Sequence, residues 1–354
     1  MARPVAMRWP MVGRAGLAAR PGAGMAVLAL LAGMAAAPQR AQAAGPQPPD
    51  AADDAVVLLA RIQQAARKLD YSGVFTYQQG QFIQSSHVVH VIDGTGERER
   101  LEVLDGQPRE YLRHNDEVQC LIPEKKTVLM EQRRGDRFPG LLLGDPKALS
   151  AYYEIRAEDA PHRVAGRECR IVLIEPRDAH RYGYRLCADT ETSLLLKAQT
   201  LSGAGSVVEQ VAFTSLQLGA DVQPAQLASG WKTRDWKVQQ AEMQPVDLAA
   251  RGWRVPAPPG FVQVLEVSRT MGGRKPVDQL VLSDGLAAIS VFIEPYYDSA
   301  RSDYQPRGAA RRGAINLYGT RIADYWVTVL GEVPGDTLRQ LAESTEYVPL
   351  AGGR

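Results

Sequence analysis

The spacing of apolar residues changes character near residue 70. Before it, Val57, Leu58, Ile62, Ala65, Ala66 and Leu69 recur at intervals of three and four. That predicts a helix over about 53–68, with one apolar stripe and Asp53 or Asp54 as its cap. After it the pattern becomes short β-rich runs broken by turn residues. The runs lie near 71–79, 82–92, 98–104, 110–114, 117–122, 126–132, 168–175, 181–188, 194–201 and 206–215. Gln79-Gly80, Asp93-Gly94-Thr95-Gly96, Asn115-Asp116 and Ser202-Gly203-Ala204-Gly205 supply tight connections, so the sheet reads as a mainly antiparallel meander. An apolar loop, 138–144, interrupts it, and Asp145-Pro146 starts a short helix over about 147–154. Residues 219–230 (GADVQPAQLASG) have linker composition. A second β-rich set follows near 231–239, 261–269, 277–283, 286–294, 314–319 and 321–330, and a helix over about 335–345 ends the pattern. The fold class is α+β, in two domains, 53–218 and 231–350.

One strand departs from the alternation expected of a sheet with a solvated face. In 82–92, Ile83, Val89 and Val91 share one face and Phe82, Val88 and Ile92 the other. One face can pack on the first helix. The other meets the second domain, a partner or an apolar ligand, or is simply the interior of a two-layer core. The loop at 138–144 has the same two readings: a buried turn, or a flap over an apolar cavity.

Charge and cysteine usage place the chain. The 354 residues carry a net charge of +1, too little basic surface for a dedicated nucleic-acid binder. Arg3, Arg8, Arg14, Arg20 and Arg40 stand without an acid in residues 1–43, so the remainder is mildly acidic. With the apolar run 23–37 and Ala41-Gln42-Ala43, they form a secretory signal, 1–43, followed by a Pro/Ala tether, 44–52. The apolar run is too short to span a bilayer with ease. In an exported protein two of Cys120, Cys169 and Cys187 can pair. A hairpin turning near residue 178 sets Cys169 and Cys187 roughly opposite each other, within disulfide reach. Two buried thiols are the other reading.

No catalytic motif emerges. His87 and His90 fall on opposite faces of a strand, and no metal-ligand spacing, P-loop, dinucleotide fingerprint or nucleophile elbow occurs. No cofactor and no enzymatic activity are expected. Basic residues do cluster: Lys125-Lys126, Arg133-Arg134 and Arg137 flank the apolar loop, and Arg307, Arg311 and Arg312 form a second group. Such groups are a solvated face, or the rim that receives the phosphorylated head of an amphiphile whose chain lies inside.

Several stretches, in order, resemble the RseB/MucB family of periplasmic regulators of sigma-E-type signalling. They are Leu69-Asp70-Tyr71-Ser72-Gly73-Val74-Phe75-Thr76-Tyr77, Asp93-Gly94-Thr95-Gly96-Glu97-Arg98-Glu99, Arg181-Tyr182-Gly183-Tyr184-Arg185-Leu186 and Leu194-Leu195-Leu196-Lys197-Ala198. The C-terminal half adds 283–294 (SDGLAAISVFIE) and Arg311-Arg312-Gly313-Ala314. Cys187-Ala188 departs from the more usual apolar pair, which makes the bridge a local feature. The resemblance implies an N-terminal LolA/LolB-like half-open antiparallel barrel packed on helices, plus a smaller C-terminal sheet with a helix. It implies a periplasmic protein that binds the periplasmic domain of a membrane anti-sigma factor (RseA/MucA type), shields it from proteolysis, and is released by lipopolysaccharide or a related amphiphile. Homo-oligomers are implied as well. Lipid is expected on Phe75, Tyr77, Phe82, Leu129, Phe138, Leu141 and Leu142, with Arg133, Arg134 and Arg137 at its head group. The anti-sigma segment is expected on Leu286, Phe292, Arg311 and Arg312. A lipid or lipoprotein carrier of the LolA/LolB type is the alternative.

Overall fold

The computed structural model describes residues 51–132, 138–139, 144–240, 243–270, 276–296 and 307–349. The expected secretory signal and the candidates Arg133, Arg134, Arg137, Leu141 and Leu142 lie outside them. The first helix, α1 (Ala51–Lys68), starts earlier than its expected caps, which puts Asp53 and Asp54 in its first turn, where a helix dipole favours carboxylates. Six strands then form a meander: β1 (Tyr71–Gln79), β2 (Phe82–Asp93), β3 (Gly96–Val103), β4 (Arg109–His114), β5 (Glu117–Ile122) and β6 (Thr127–Gln132). A four-residue helix, α2 (Pro146–Leu149), follows, with the Asp145 carboxylate accepting from the Lys147 amide. A second meander runs through β7 (Tyr153–Val164), β8 (Arg167–Pro176), β9 (Gly183–Asp189), β10 (Leu195–Leu201) and β11 (Val207–Leu218). Pairing of β1 with β11 joins the two meanders into one open sheet, extended at its far edge by β12 (Lys237–Gln240) parallel to β6. Gly73 in β1 has no room for a side chain, since a Cβ there would meet the Ser215 carbonyl and the Phe213 ring.

Three sequence expectations are corrected here. The helix over 147–154 shrinks to α2, and β7 takes up its end. That strand carries Pro161 and is rich in Glu and Ala, poor strand formers, and it tolerates them because it is a sheet edge with a bulge between Glu158 and His162. The run at 231–239, expected in the second sheet, appears as β12 on the first. The linker 219–230 is not free either. Val222 and Leu227 pack on Val89 and Val91, and Glu110, buried in β4 and paired with Arg100, accepts from the Ser229 hydroxyl and the Gly230 amide. This segment therefore covers the outer face of β2. The inner face, through Val88, joins the core built on α1.

The second sheet has the order β13 (Met243–Pro245), β15 (Val262–Arg269), β16 (Val277–Ser283), β17 (Ala288–Pro295), β20 (Tyr325–Gly331), β19 (Ile315–Ile322), β18 (Gly308–Arg312). Helix α3 (Gly335–Ser344) packs Leu338 and Leu341 on one face, against Ile289, Val291, Val327 and Val329. A two-stranded ribbon, β14 (Trp253–Arg254) with β21 (Glu346–Tyr347), closes that end through Trp253, Tyr325 and Tyr347. The Cys169–Cys187 bridge is present, between Cα atoms 5.5 Å apart. The two cysteines are diagonal and not directly opposed, because Ile171 is what faces Cys187 across β8 and β9.

The sheets meet through the β8–β9 turn. Arg181, whose side chain is wholly buried, donates to Asp284 at 2.9 Å, to Asp178 at 3.1 Å and to the Pro259 carbonyl. Its guanidinium lies 4.8 Å from the Tyr152 ring centre and 5.0 Å from that of Phe261. Asp284, in the β16–β17 turn, also accepts the Tyr153 hydroxyl at 2.8 Å and the amides of Leu286 and Ala287. Removing one member of a buried pair strands the other charge, at about 3–5 kcal/mol. We therefore expect Asp284→Asn to lower unfolding free energy by about 3 kcal/mol in urea titrations. The double variant Arg181→Met/Asp284→Asn should lose clearly less than the sum of the two single losses; strictly additive losses would contradict the pairing.

Candidate functional site: a cavity between the two sheets

Between the sheets lies a cavity of about 570 Å³. One wall comes from β1–β4 and β9–β11, whose inward side chains include Phe75, Tyr77, Tyr111 and Tyr184. The other comes from the second sheet: Leu286, Ala288, Ser290, Ile315, Leu330 and Glu332. The alternation of β2 explains the first wall, since Gln84 and Ser86 share the face of Val88 and stop short of filling the interior. Phe138 sits at the boundary of cavity and core, its ring 5.2 Å from Phe75 and 5.1 Å from Phe213.

The expected lipid residues divide. Phe75, Tyr77 and Phe138 line the cavity. Phe82 is exposed beside it, against Tyr77 at 6.4 Å and under the Arg312 guanidinium at 5.6 Å. Leu129, on β6, lies strands away and takes no part in the lining. The docking candidates divide as well. Leu286 is buried and faces the cavity, so it is no surface contact. Phe292 is half-buried on the face of β17 that also carries Ala288 and Ser290, and Arg311 and Arg312 are exposed on the edge strand β18.

The polar groups of the cavity were not anticipated. Glu209 accepts the Tyr77 hydroxyl at 2.7 Å and the Ala314 amide, across the sheets, at 3.2 Å. Burial, then the Glu209 contact, pushes the Tyr77 phenol far above its ordinary range. Glu332 has no hydrogen-bonding or ion-pair partner among the described residues. Burial and then the nearby Glu209 charge push its carboxyl up to about 6. Glu332 is itself an exposed residue at the edge of the lining. Tyr184 is buried with its hydroxyl unpartnered, and burial, then Glu332, raises its phenol. Tyr184 stands in one of the stretches that carry the resemblance, but nothing in its spacing marks it as cavity-facing. Among the described residues no cluster could hold a metal.

Sequence models of the MucB/RseB N-terminal and C-terminal domains match residues 54–231 and 247–346. This chain belongs to the MucB/RseB family. It is 31% identical over 303 residues to the sigma factor AlgU regulatory protein MucB of Pseudomonas aeruginosa, covering 84% of this chain and 92% of that one. It is 25% identical to the sigma-E factor regulatory protein RseB of Escherichia coli K12, over 82% of this chain and 90% of that one. The crystal structure of MucB in complex with MucA(peri) superposes with a TM-score of 0.64 at 30% identity, over 84% of this chain and the whole of that one. A structure of MucB alone gives 0.59 at 28% identity, over 84% of this chain and 98% of that one.

The raised carboxyl fixes a sign. A proton held more tightly in the folded state than at the ordinary 4.5 stabilises the fold at low pH, and that gain disappears as pH rises from about 4.5 through about 6. Glu332→Gln should remove this contribution. The melting-temperature difference, variant minus wild type, is expected to rise across that window and then level off; a difference independent of pH would refute the assignment.

Proposed function

We propose that this MucB/RseB-family protein works in the periplasm. It binds the periplasmic segment of a MucA/RseA-type membrane anti-sigma factor and shields it from regulated proteolysis. Lipopolysaccharide or a similar amphiphile releases it. Partner binding is supported by the solved complex of MucB with MucA(peri), whose fold this chain follows along that protein's whole length. Release is supported by one observation above all: the cavity is walled by both sheets. A ligand that fills it acts on the spacing of the sheets, and so on any surface they present together. For release, the amphiphile must bind the free form more tightly than the complexed one.

In this reading acyl chains lie against Phe75, Tyr77 and Phe138. A phosphorylated head stays at the rim, where Arg312 stands over Phe82, and Arg133, Arg134 and Arg137 remain candidates for it. Phe292, Arg311 and Arg312 remain the docking candidates, and Leu286 is withdrawn because it is buried. A carrier of the LolA/LolB type is less favoured, because the second sheet closes over the first sheet's concave face, where a carrier needs open access.

An immobilised anti-sigma periplasmic fragment should retain the protein, and added lipopolysaccharide should elute it. Phe138→Asp sets a carboxylate against the acyl chain and should raise the lipopolysaccharide needed by roughly tenfold while leaving retention intact. No retention by the fragment, or retention indifferent to lipid in the wild type, would overturn the proposal.

A further inference from the structure

The turn between β18 and β19, residues 311–314, is gripped by the first sheet at three points. The Arg312 guanidinium lies over the Phe82 ring at 5.6 Å. Gly313 is packed so closely on the Gln79 side chain that a Cβ there would overlap its amide, and its φ of 65° lies in the left-handed region that glycine adopts freely. Ala314, wholly buried, donates its amide to Glu209 at 3.2 Å. All three grips converge on one cavity residue. Tyr77 lines the chamber, donates its hydroxyl to Glu209 at 2.7 Å, accepts there from the Gln79 amide at 2.7 Å, and meets the Phe82 ring edge-on at 6.4 Å. On its other side the turn is tied to the exposed edge strand, where Arg311 donates to the Gly313 carbonyl at 2.7 Å.

We propose that this turn is a clasp: held through Tyr77 it keeps β18 in the position that the anti-sigma segment recognises, and an amphiphile that displaces Tyr77 lets it go. The proposal rests on the reading of the cavity and of the docking edge given above, and it adds the element that carries a change from one to the other. Each grip alone is an ordinary contact between neighbouring turns. What sets them apart is that a single side chain, with one face on the chamber, supports all three. The Tyr77 hydroxyl is both donor and acceptor, so a shift of the ring breaks its bonds to Glu209 and Gln79 together, because hydrogen bonds weaken steeply away from good geometry. Gln79 then no longer supports Gly313, and Glu209 no longer has a fixed place from which to hold Ala314. The contacts of Arg181 with Asp284 and of Asn316 with Tyr182 do not involve Tyr77, so the sheets stay joined while the clasp opens. The clasped and free turns are the two states whose balance partner and amphiphile shift in opposite directions.

A cross-link tests this. A Cβ at position 313 would lie 2.6 Å from the Gln79 Cγ, which brings a Cβ at position 79 within about 4 Å of it, inside disulfide range. In the full mature chain carrying Cys120→Ser, the pair Gln79→Cys and Gly313→Cys should oxidise to a bridge that locks the turn. On an immobilised anti-sigma periplasmic fragment the oxidised chain should be retained like the Cys120→Ser reference, yet need roughly tenfold more lipopolysaccharide for elution. Mild reduction should restore the elution of the reference carried through the same treatment. Gln79→Ala removes the support under Gly313 without altering the glycine, and several-fold less lipopolysaccharide should then suffice; this variant decides the matter where the double-cysteine chain does not fold. An oxidised chain that elutes at the reference concentration, or Gln79→Ala eluting as the wild type does, overturns the clasp and leaves the release reading intact. Loss of retention on oxidation also overturns it, since the clasped form is the one that binds. A reference chain that lipopolysaccharide does not elute overturns the release reading, and the clasp with it.

Discussion

Arg181 and Asp284 hold the two sheets together. Each is buried and each comes from a turn of its own sheet; Arg181 is the cation that Asp284 pairs with, and Arg181 without Asp284 keeps only Asp178 as an anionic partner. A buried ion pair is not by itself a strong source of stability, because desolvation offsets most of the attraction. Its weight here lies in specificity. Arg181 has its donors taken by Asp284, Asp178 and the Pro259 carbonyl, and aromatic rings on its faces. Asp284 has both oxygens in use. One relative placement of the turns satisfies all of these at once. Asn316, which donates to the Tyr182 hydroxyl at 2.8 Å, and Thr337, which donates to the His180 carbonyl at 3.2 Å, extend the same seam.

From that fixed end the sheets enclose a chamber neither could form alone. The first sheet is open because its strands follow one another without closing, and α1 covers the half built from β7 to β10. The second sheet supplies the missing wall. The Ala314 amide on Glu209, next to the Asn316 contact, and Arg312 over Phe82 add further contacts between the sheets.

Much of this organisation could be read from the residues. The turn dipeptides gave the first meander, the three-and-four spacing gave α1, and midpoint reasoning brought the bridged cysteines onto neighbouring strands. The errors have physical causes. An edge strand needs only one paired side, so β7 could carry Pro161 and a helix-like composition and still be a strand. β12 pairs in parallel with a distant partner, which no local turn announces. The apolar outer face of β2 was open to several readings, and its cover turned out to be the supposed linker, through Val222 and Leu227.

The site was legible only on its apolar side. Phe75, Tyr77 and Phe138, nominated through the family resemblance, do line the cavity. Glu209 and Glu332 could not be nominated, because they stand far apart in sequence on separate sheets and become neighbours only when both sheets are assembled. Arg181 and Asp284 each lay within stretches that carry the family resemblance, but their pairing is a fact of tertiary structure.

The central claim is that partner and amphiphile act on one shared arrangement of the two sheets. Calorimetric titration of each ligand in the absence and presence of the other tests it directly, because linkage is reciprocal. A saturating anti-sigma periplasmic fragment should weaken lipopolysaccharide binding by the same factor by which lipopolysaccharide weakens binding of the fragment. Affinities that stay unchanged, with both ligands bound to one molecule at once, would contradict it.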